Sequence, residues 1–140
     1  MDEKLHILIV DDNPMMTKTL KDIFEIKGYK VQIAHSGVEA LDKVVKISFE
    51  PVSSERDEVT CDKPFDCVLS DIKMPDVNGV ELYKSIKSSW PDLPVILMTA
   101  YSADNLVEEG LKEGVMTVLT KPLDIDSLLN IFSNLRQELS

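Results

Sequence analysis

Clusters of lysine and arginine are missing from this chain. Its 15 Lys and Arg stand against 25 Asp and Glu, for a net charge of −10. Cations so few and scattered cannot assemble a basic face, which argues against direct nucleic-acid contact. Long apolar runs are missing as well, and nothing approaches the roughly 20 residues that span a bilayer. The opening residues, Met1-Asp2-Glu3-Lys4, are acidic and lead straight into a strand, unlike a signal peptide. Cysteine is scarce. Cys61 and Cys67 supply neither a disulfide framework nor a metal quartet, and Cys67 sits in an apolar stretch as a small buried residue. A cytoplasmic protein without membrane contact is the expectation. With no internal repeat and no linker, residues 1–140 are expected to form one domain, long enough to bury a core.

What is present is an alternation of short apolar runs and amphipathic stretches. His6-Ile7-Leu8-Ile9-Val10 is nearly continuous in apolar character, as in a strand buried on both faces, and gives way to Asp11-Asp12-Asn13-Pro14. Asn13 suits a helix cap and Pro14 the first helical position. Met16, Leu20, Ile23 and Phe24 then recur at helical spacing until Gly28 stops the helix. Val31 and Ile33 alternate with Lys30 and Gln32, which reads as a half-exposed strand. Gly37 opens a second helix with Val38, Leu41, Val44 and Val45 on one face. From about Ile47 to Pro64 the pattern dissolves into a polar, Pro-interrupted surface loop, and loops of such length are usually functional or disordered.

Phe65 to Ser70 forms the third strand and ends at Asp71, after which Met74-Pro75 and Asn78-Gly79 turn the chain. Val80, Tyr83 and Ile86 mark a third helix, closed by Trp90-Pro91 and Pro94. Val95 to Met98 is an apolar fourth strand ending in Thr99-Ala100-Tyr101. A fourth helix, from about Ala103 to Lys112, has a thin stripe of Leu106, Val107 and Leu111 and ends at Gly114. Val115 to Leu119 is the fifth strand, followed by Thr120-Lys121-Pro122. The last helix carries Ile125, Leu128, Leu129, Phe132 and Leu135 on one face.

Strands and helices that alternate in this way imply an α/β fold, a doubly wound parallel sheet of five strands with five helices on its two faces. The second strand alone shows polar alternation, which suits a sheet edge, and the order 2-1-3-4-5 puts it there. The switch point then falls between strands one and three, where a ligand crevice is expected. Asp11, Asp12 and Asp71 meet in it, and Thr99 and Lys121 stand at the ends of the next two strands.

Each of these residues has a plain structural use. Asp71 can cap a helix or form a turn, Asp11 and Asp12 suit the first turn of a helix, Lys121 can pair with any aspartate, and Thr99 can be a strand-end hydroxyl. Their coincidence at four strand ends favours chemistry. Converging carboxylates repel one another, and the usual remedy is a hard cation such as Mg²⁺, which accepts carboxylate oxygens and leaves room for a phosphoryl oxygen. A carboxylate can attack phosphorus to give an aspartyl phosphate. A lysine and a hydroxyl beside it supply the charge neutralisation that phosphoryl transfer needs.

The set Asp11-Asp12, Asp71 with Met74-Pro75 and Gly79, Thr99-Ala100 and Lys121-Pro122 resembles the receiver domain of two-component response regulators, and the likeness runs from about Leu5 to Leu135. It implies that Asp71 accepts a phosphoryl group from a phosphohistidine, on a sensor histidine kinase or a phosphotransfer protein. It implies that Asp12, Asp71 and the Lys73 carbonyl bind Mg²⁺, with Asp11 acting mainly through water. Lys121 would contact the phosphoryl group, Thr99 would move to hydrogen-bond it, and Lys121-Pro122 matches a step that is often cis. The chain would then be a switch with self-catalysed phosphotransfer and autodephosphorylation only, acting on a downstream protein target or an output domain absent from this sequence.

Two features depart from the family pattern. Val118 stands where many receivers carry a Tyr or Phe, a role that Tyr101 could share, and the Ile47–Pro64 segment is longer than usual. Among rivals, an aspartate-nucleophile phosphatase of the haloacid dehalogenase type needs an aspartate where Lys73 stands. A flavodoxin-like FMN binder needs a phosphate-cradling loop in place of Asp11-Asp12. A receiver used only for docking would not need all five site residues.

Overall fold

The computed structural model describes residues 5–45, 65–74, 76–100 and 105–139. The segment expected to loop out, together with Cys61, Pro75, Tyr101 and Ala103, lies outside the described residues. Strands β1 (His6–Val10), β2 (Lys30–Ala34), β3 (Cys67–Asp71), β4 (Val95–Thr99) and β5 (Thr117–Thr120) alternate with helices α1 (Pro14–Ile26), α2 (Gly37–Val45), α3 (Gly79–Ser89), α4 (Asn105–Glu113) and α5 (Ile125–Leu139). The sheet order is β2-β1-β3-β4-β5, as expected, and all neighbours run parallel.

Period-two alternation along the central strands divides the core into two layers. Leu8, Val10, Val68 and Leu97 face α2, α3 and α4, where they meet Val44, Val80, Leu82 and Ile86. Ile7, Ile9, Leu69, Ile96 and Met98 face α1 and α5, where they meet Leu20, Phe24, Leu128 and Phe132. Phe132 stands edge-on to Phe24 (centroids 5.0 Å apart) and to Tyr29 (5.4 Å), a geometry worth about 1 kcal/mol per pair beyond area burial. Cys67 is fully buried in β3, and that burial, helped by the Asp66 charge, pushes its thiol up to about 12. It is a packing residue and no nucleophile.

Helix boundaries follow local chemistry. Asn13 Oδ1 accepts from the Met15 and Met16 N–H groups ahead of Pro14, and Asn78 Oδ1 accepts from Glu81 N–H. Beyond α1 and α4 the chain passes through Gly28 (φ 98°) and Gly114 (φ 113°), a left-handed conformation that favours glycine.

Several faces differ from expectation. In α2, Val38 is exposed and Ala40 takes the buried position beside Val44. In α4, Leu111 is exposed, and Gly110 is the buried residue, so close to β4 that a Cβ there would meet Leu97 Cδ1 at 2.8 Å. The fifth strand begins at Thr117, because Val115 turns into the α2–α4 layer before the sheet resumes. β5 is half-exposed like β2, as the second sheet edge must be; its lack of alternation hid that in the sequence.

Candidate functional site

The register lines up the carboxyl ends of the inner strands. Val10 pairs with Ser70, Asp71 with Met98, and Thr99 with Thr120, so the residues just past those pairs share one rim. Asp11 is held there from both sides. Its N–H donates to Ala34 O on β2 (3.1 Å), and its Oδ1 accepts from Asn13 N–H (3.0 Å), the residue that caps α1. Asp71 closes β3, and the next residue, Ile72, donates its N–H to Met98 O (2.9 Å), keeping the strand paired to its last residue. Thr99 is buried at the end of β4, and its carbonyl accepts from Lys121 N–H (2.8 Å). The Lys121–Pro122 peptide is cis, as the resemblance implied.

Lys121 joins the pieces. Its Nζ donates to Asp11 Oδ2 and to Asp71 Oδ2, each at 3.1 Å, across 110 and 50 residues of sequence. Asp11 and Asp71 are buried, Asp12 is exposed at the mouth, and the three carboxylates each offer an oxygen within 4.8 Å of the others. The structure therefore brings together Asp11, Asp12, Asp71 and Lys121, and sets Thr99 one residue beyond the register partner of Asp71. Val118, half-buried, packs on the α2–α4 layer, where the family pattern would place an aromatic ring.

The electrostatics are unbalanced toward negative charge. Burial, and then the charge of Asp11, raise the Asp71 carboxyl above the ordinary 3.8, outweighing the Lys121 ammonium and the Lys73 N–H that oppose them. Burial works against the Lys121 ammonium, but its bonds to Asp11 and Asp71 win and raise it above 10.5. One cation serving two buried anions leaves the site short of positive charge. A raised carboxyl value disfavours the ionised form in the folded state, so Asp71 costs stability above that value and nothing below 3.8, where it is protonated folded or unfolded. Asp71→Asn, with Lys121 still paired to Asp11, is expected to gain about 1 kcal/mol, or ~3 °C in Tm, at neutral pH. Thermal melts at pH 7 and pH 4 check this: the gain should shrink at the lower pH.

The donor set fits a hard divalent cation. All three side chains offer carboxylate oxygen, they converge, and their charge deficit is one that Mg²⁺ would relieve. Gly79 belongs to the motif set, but its close approach to β3 was not legible from spacing, and neither was the contact made by Asp76. Gly79 reads as turn punctuation, yet a Cβ there would meet Asp71 O at 2.5 Å and Ile72 Cα at 3.0 Å, so only glycine lets α3 start against the end of β3. Asp76, unremarkable in the sequence, accepts hydrogen bonds from the N–H groups of Gly37 and Val38 (3.1 and 2.9 Å) at the start of α2.

A doubly wound sheet with an acidic crevice and a lysine at its switch point defines a class, and comparison with known proteins settles which. The model of the response regulator receiver domain matches residues 7–133. The transcriptional regulatory protein ZraR of Klebsiella oxytoca is 38% identical over 126 residues, which cover 90% of this chain and 25% of that protein. The receiver domain of the Francisella response regulator 1452 superposes with a TM-score of 0.76 at 27% identity, covering 98% of this chain and 100% of that one. The response regulator TrrA of Thermotoga maritima, solved in complex with Mg²⁺-BeF, gives 0.72 at 28% identity over 95% and 99%. The chain belongs to the response regulator receiver domain family. It spans about a quarter of the length of the ZraR relatives it matches. Among the described residues, no helix is long and apolar enough to cross a membrane.

Proposed function

We propose that Asp71 is the phosphoacceptor of a phosphorylation switch, and the observation that carries this is the double hydrogen bond from Lys121 to Asp11 and Asp71 inside a three-carboxylate crevice. An Asp71 carboxylate oxygen attacks phosphorus. The new O–P bond forms as the N–P bond of a donor phosphohistidine breaks, and the bonding pair returns to the imidazole. Asp12, Asp71 and the Lys73 carbonyl are the groups that would hold Mg²⁺, with Asp11 acting through water. When bound, the ion supplies positive charge against the phosphoryl oxygens. Lys121, already hydrogen-bonded to Asp71, needs only a short excursion to reach a phosphoryl oxygen on the same carboxylate. Thr99 offers a hydroxyl from the end of β4.

The added charge recruits Lys121 and Thr99, and the region of α4, β5 and α5 passes the change to a partner. In this reading the donor is a sensor histidine kinase or a phosphotransfer protein in the cytoplasm, and the recipient is a downstream protein or an output domain. The chain transfers a phosphoryl group to itself and loses it slowly; it is a signalling domain, without turnover of an external substrate. Intact-mass measurement after incubation with acetyl phosphate, with and without Mg²⁺, tests the assignment. Wild type should gain one phosphoryl group only with Mg²⁺, and Asp71→Asn should gain none. Uptake by Asp71→Asn at the wild-type rate would overturn it.

A further inference from the structure

Between β3 and α3 the described residues 72–74 and 76–78 belong to neither strand nor helix, and Lys73, whose carbonyl is part of the proposed cation site, is among them. The near end of this segment is fixed. Gly79 N–H donates to Ile72 O (2.7 Å), and the glycine lies against the Asp71 and Ile72 backbone, closing the segment into a loop. Within that loop the Lys73 N–H donates to the Asp71 carboxylate. Movement of the loop therefore moves both the proposed phosphoacceptor's orientation and the carbonyl beside it.

The far end of the loop rests on α2. Asp76 Oδ1 and Oδ2 accept from the Gly37 and Val38 N–H groups, the first two amides of the helix. A helix leaves its first-turn amides without intrahelical partners, and its amino end favours negative charge. The following amides find partners in Ser36: Glu39 N–H reaches its Oγ (3.0 Å) and Ala40 N–H its carbonyl (3.0 Å). Asp76 thus supplies the acceptors for two of the four orphan donors from another part of the chain. Val77 reinforces the contact, because a Cβ at position 37 would meet Val77 Cβ at 2.8 Å and its carbonyl oxygen at 3.0 Å. The opposite end of α2 has a separate tie to α3's end, where Trp90 Nε1 donates to Val44 O (3.4 Å).

Resting on the reading of Asp71 and Lys73 given above, we infer that Asp76 is a positioning residue for cation binding: it pins the β3–α3 loop to the amino end of α2 and so sets the place of the Lys73 carbonyl. In this reading Asp76 is no ligand, because its two carboxylate oxygens are engaged by the α2 amides. It acts through about three residues of backbone, and its removal lets the loop drift without emptying the site of carboxylates.

The test is a Mg²⁺ titration of the unphosphorylated, ¹⁵N-labelled protein, read from the amide shifts of residues 71–74, in wild type, Asp76→Ala, Asp76→Asn and Trp90→Phe. Asp76→Ala should raise the Mg²⁺ dissociation constant about fivefold, short of the roughly 10–100-fold typical where a partner bonds the ligand itself. Asp76→Asn keeps one acceptor oxygen and should fall between. Trp90→Phe severs the other tie of α2; it should lower Tm and leave the dissociation constant unchanged. An unchanged constant in Asp76→Ala overturns the inference, as does an equal rise in Trp90→Phe, since loosening of α2 would then suffice. Phosphoryl uptake by the same wild-type sample separates the two readings. Mg²⁺ binding with the Asp76 effect but no phosphoryl adduct rejects the switch and leaves the positioning role standing. Normal uptake with no Asp76 effect does the reverse, and absence of Mg²⁺ binding in wild type rejects both.

Discussion

Gly79→Ala is expected to destabilise the fold by about 2 kcal/mol and to disturb the end of β3 along with it. Two effects of opposite sign compete. Alanine is the better helix former, and at the first position of α3 it would gain up to ~1 kcal/mol. Against this, the added Cβ meets Asp71 O at 2.5 Å, Ile72 Cα at 3.0 Å and Asp71 C at 3.2 Å. All three are backbone atoms of a strand end paired to β4, and none can rotate aside as a side chain would. Either α3 backs away, breaking the Gly79 N–H to Ile72 O bond, or the Asp71 carbonyl turns and takes its carboxylate off Lys121. Overpacking of this kind costs roughly 1–3 kcal/mol and exceeds the propensity gain. Urea unfolding should show a lower midpoint at unchanged m-value. A midpoint equal to wild type would mean that the loop yields freely and that Gly79 is not what fixes Asp71.

That contact also shows where the sequence was legible and where it was not. Patterns carried by neighbours along the chain read out well. The apolar runs of β1 and β4, the Asn13-Pro14 entry to α1, and Gly28 and Gly114 past helix ends each have a local cause. The order β2-β1-β3-β4-β5 followed from alternation and the single polar-patterned strand. From the order alone, Asp11, Asp12 and Asp71 could be brought to one rim, as the structure brings them. Features that depend on close approach between distant segments left no such trace. Nothing local distinguishes Gly79, which meets the backbone of β3, from an ordinary turn glycine, or Gly110, which admits Leu97, from a weak spot in a helix. Asp76 finds its partners 38 and 39 residues away while remaining exposed, so neither burial pattern nor periodicity marks it. The misplaced faces of α2 and α4 have the same origin: Ala40 and Gly110 are buried because they are small enough for the helix to come near the sheet. A hydrophobicity pattern weights such residues least.

Lys121→Met is expected to have the largest functional effect of any single change outside Asp71. The methionine keeps the apolar stem and removes the charge, so that packing is largely preserved while two electrostatic roles are lost. The first is in transfer: without a donor for the incoming phosphoryl oxygens, the rate of uptake from acetyl phosphate should fall about 100-fold, in the range typical for removal of one preorganised donor. The second is in the resting state. Lys121 is the cation that both Asp11 and Asp71 share, and with it gone two buried carboxylates face each other uncompensated. The Asp71 carboxyl, already raised by burial and by Asp11, loses the two Lys121 contributions that opposed the rise and climbs further. A raised carboxyl value weakens the fold above it and has no effect below the unfolded 3.8, so the deficit of the variant should grow as pH rises through the new value. Breaking a buried pair costs roughly 3–5 kcal/mol, but Lys121 keeps 24% of its side chain exposed, and a deficit of about 2 kcal/mol at pH 8 is the expectation. Urea unfolding of both proteins between pH 4 and pH 8 measures it. A deficit that stays constant across that range would assign the loss to packing, and a wild-type rate of phosphoryl uptake would remove Lys121 from the reaction. Mg²⁺ should narrow the stability gap when added at pH 8, because a cation held by the same carboxylates replaces part of the charge that the methionine lacks.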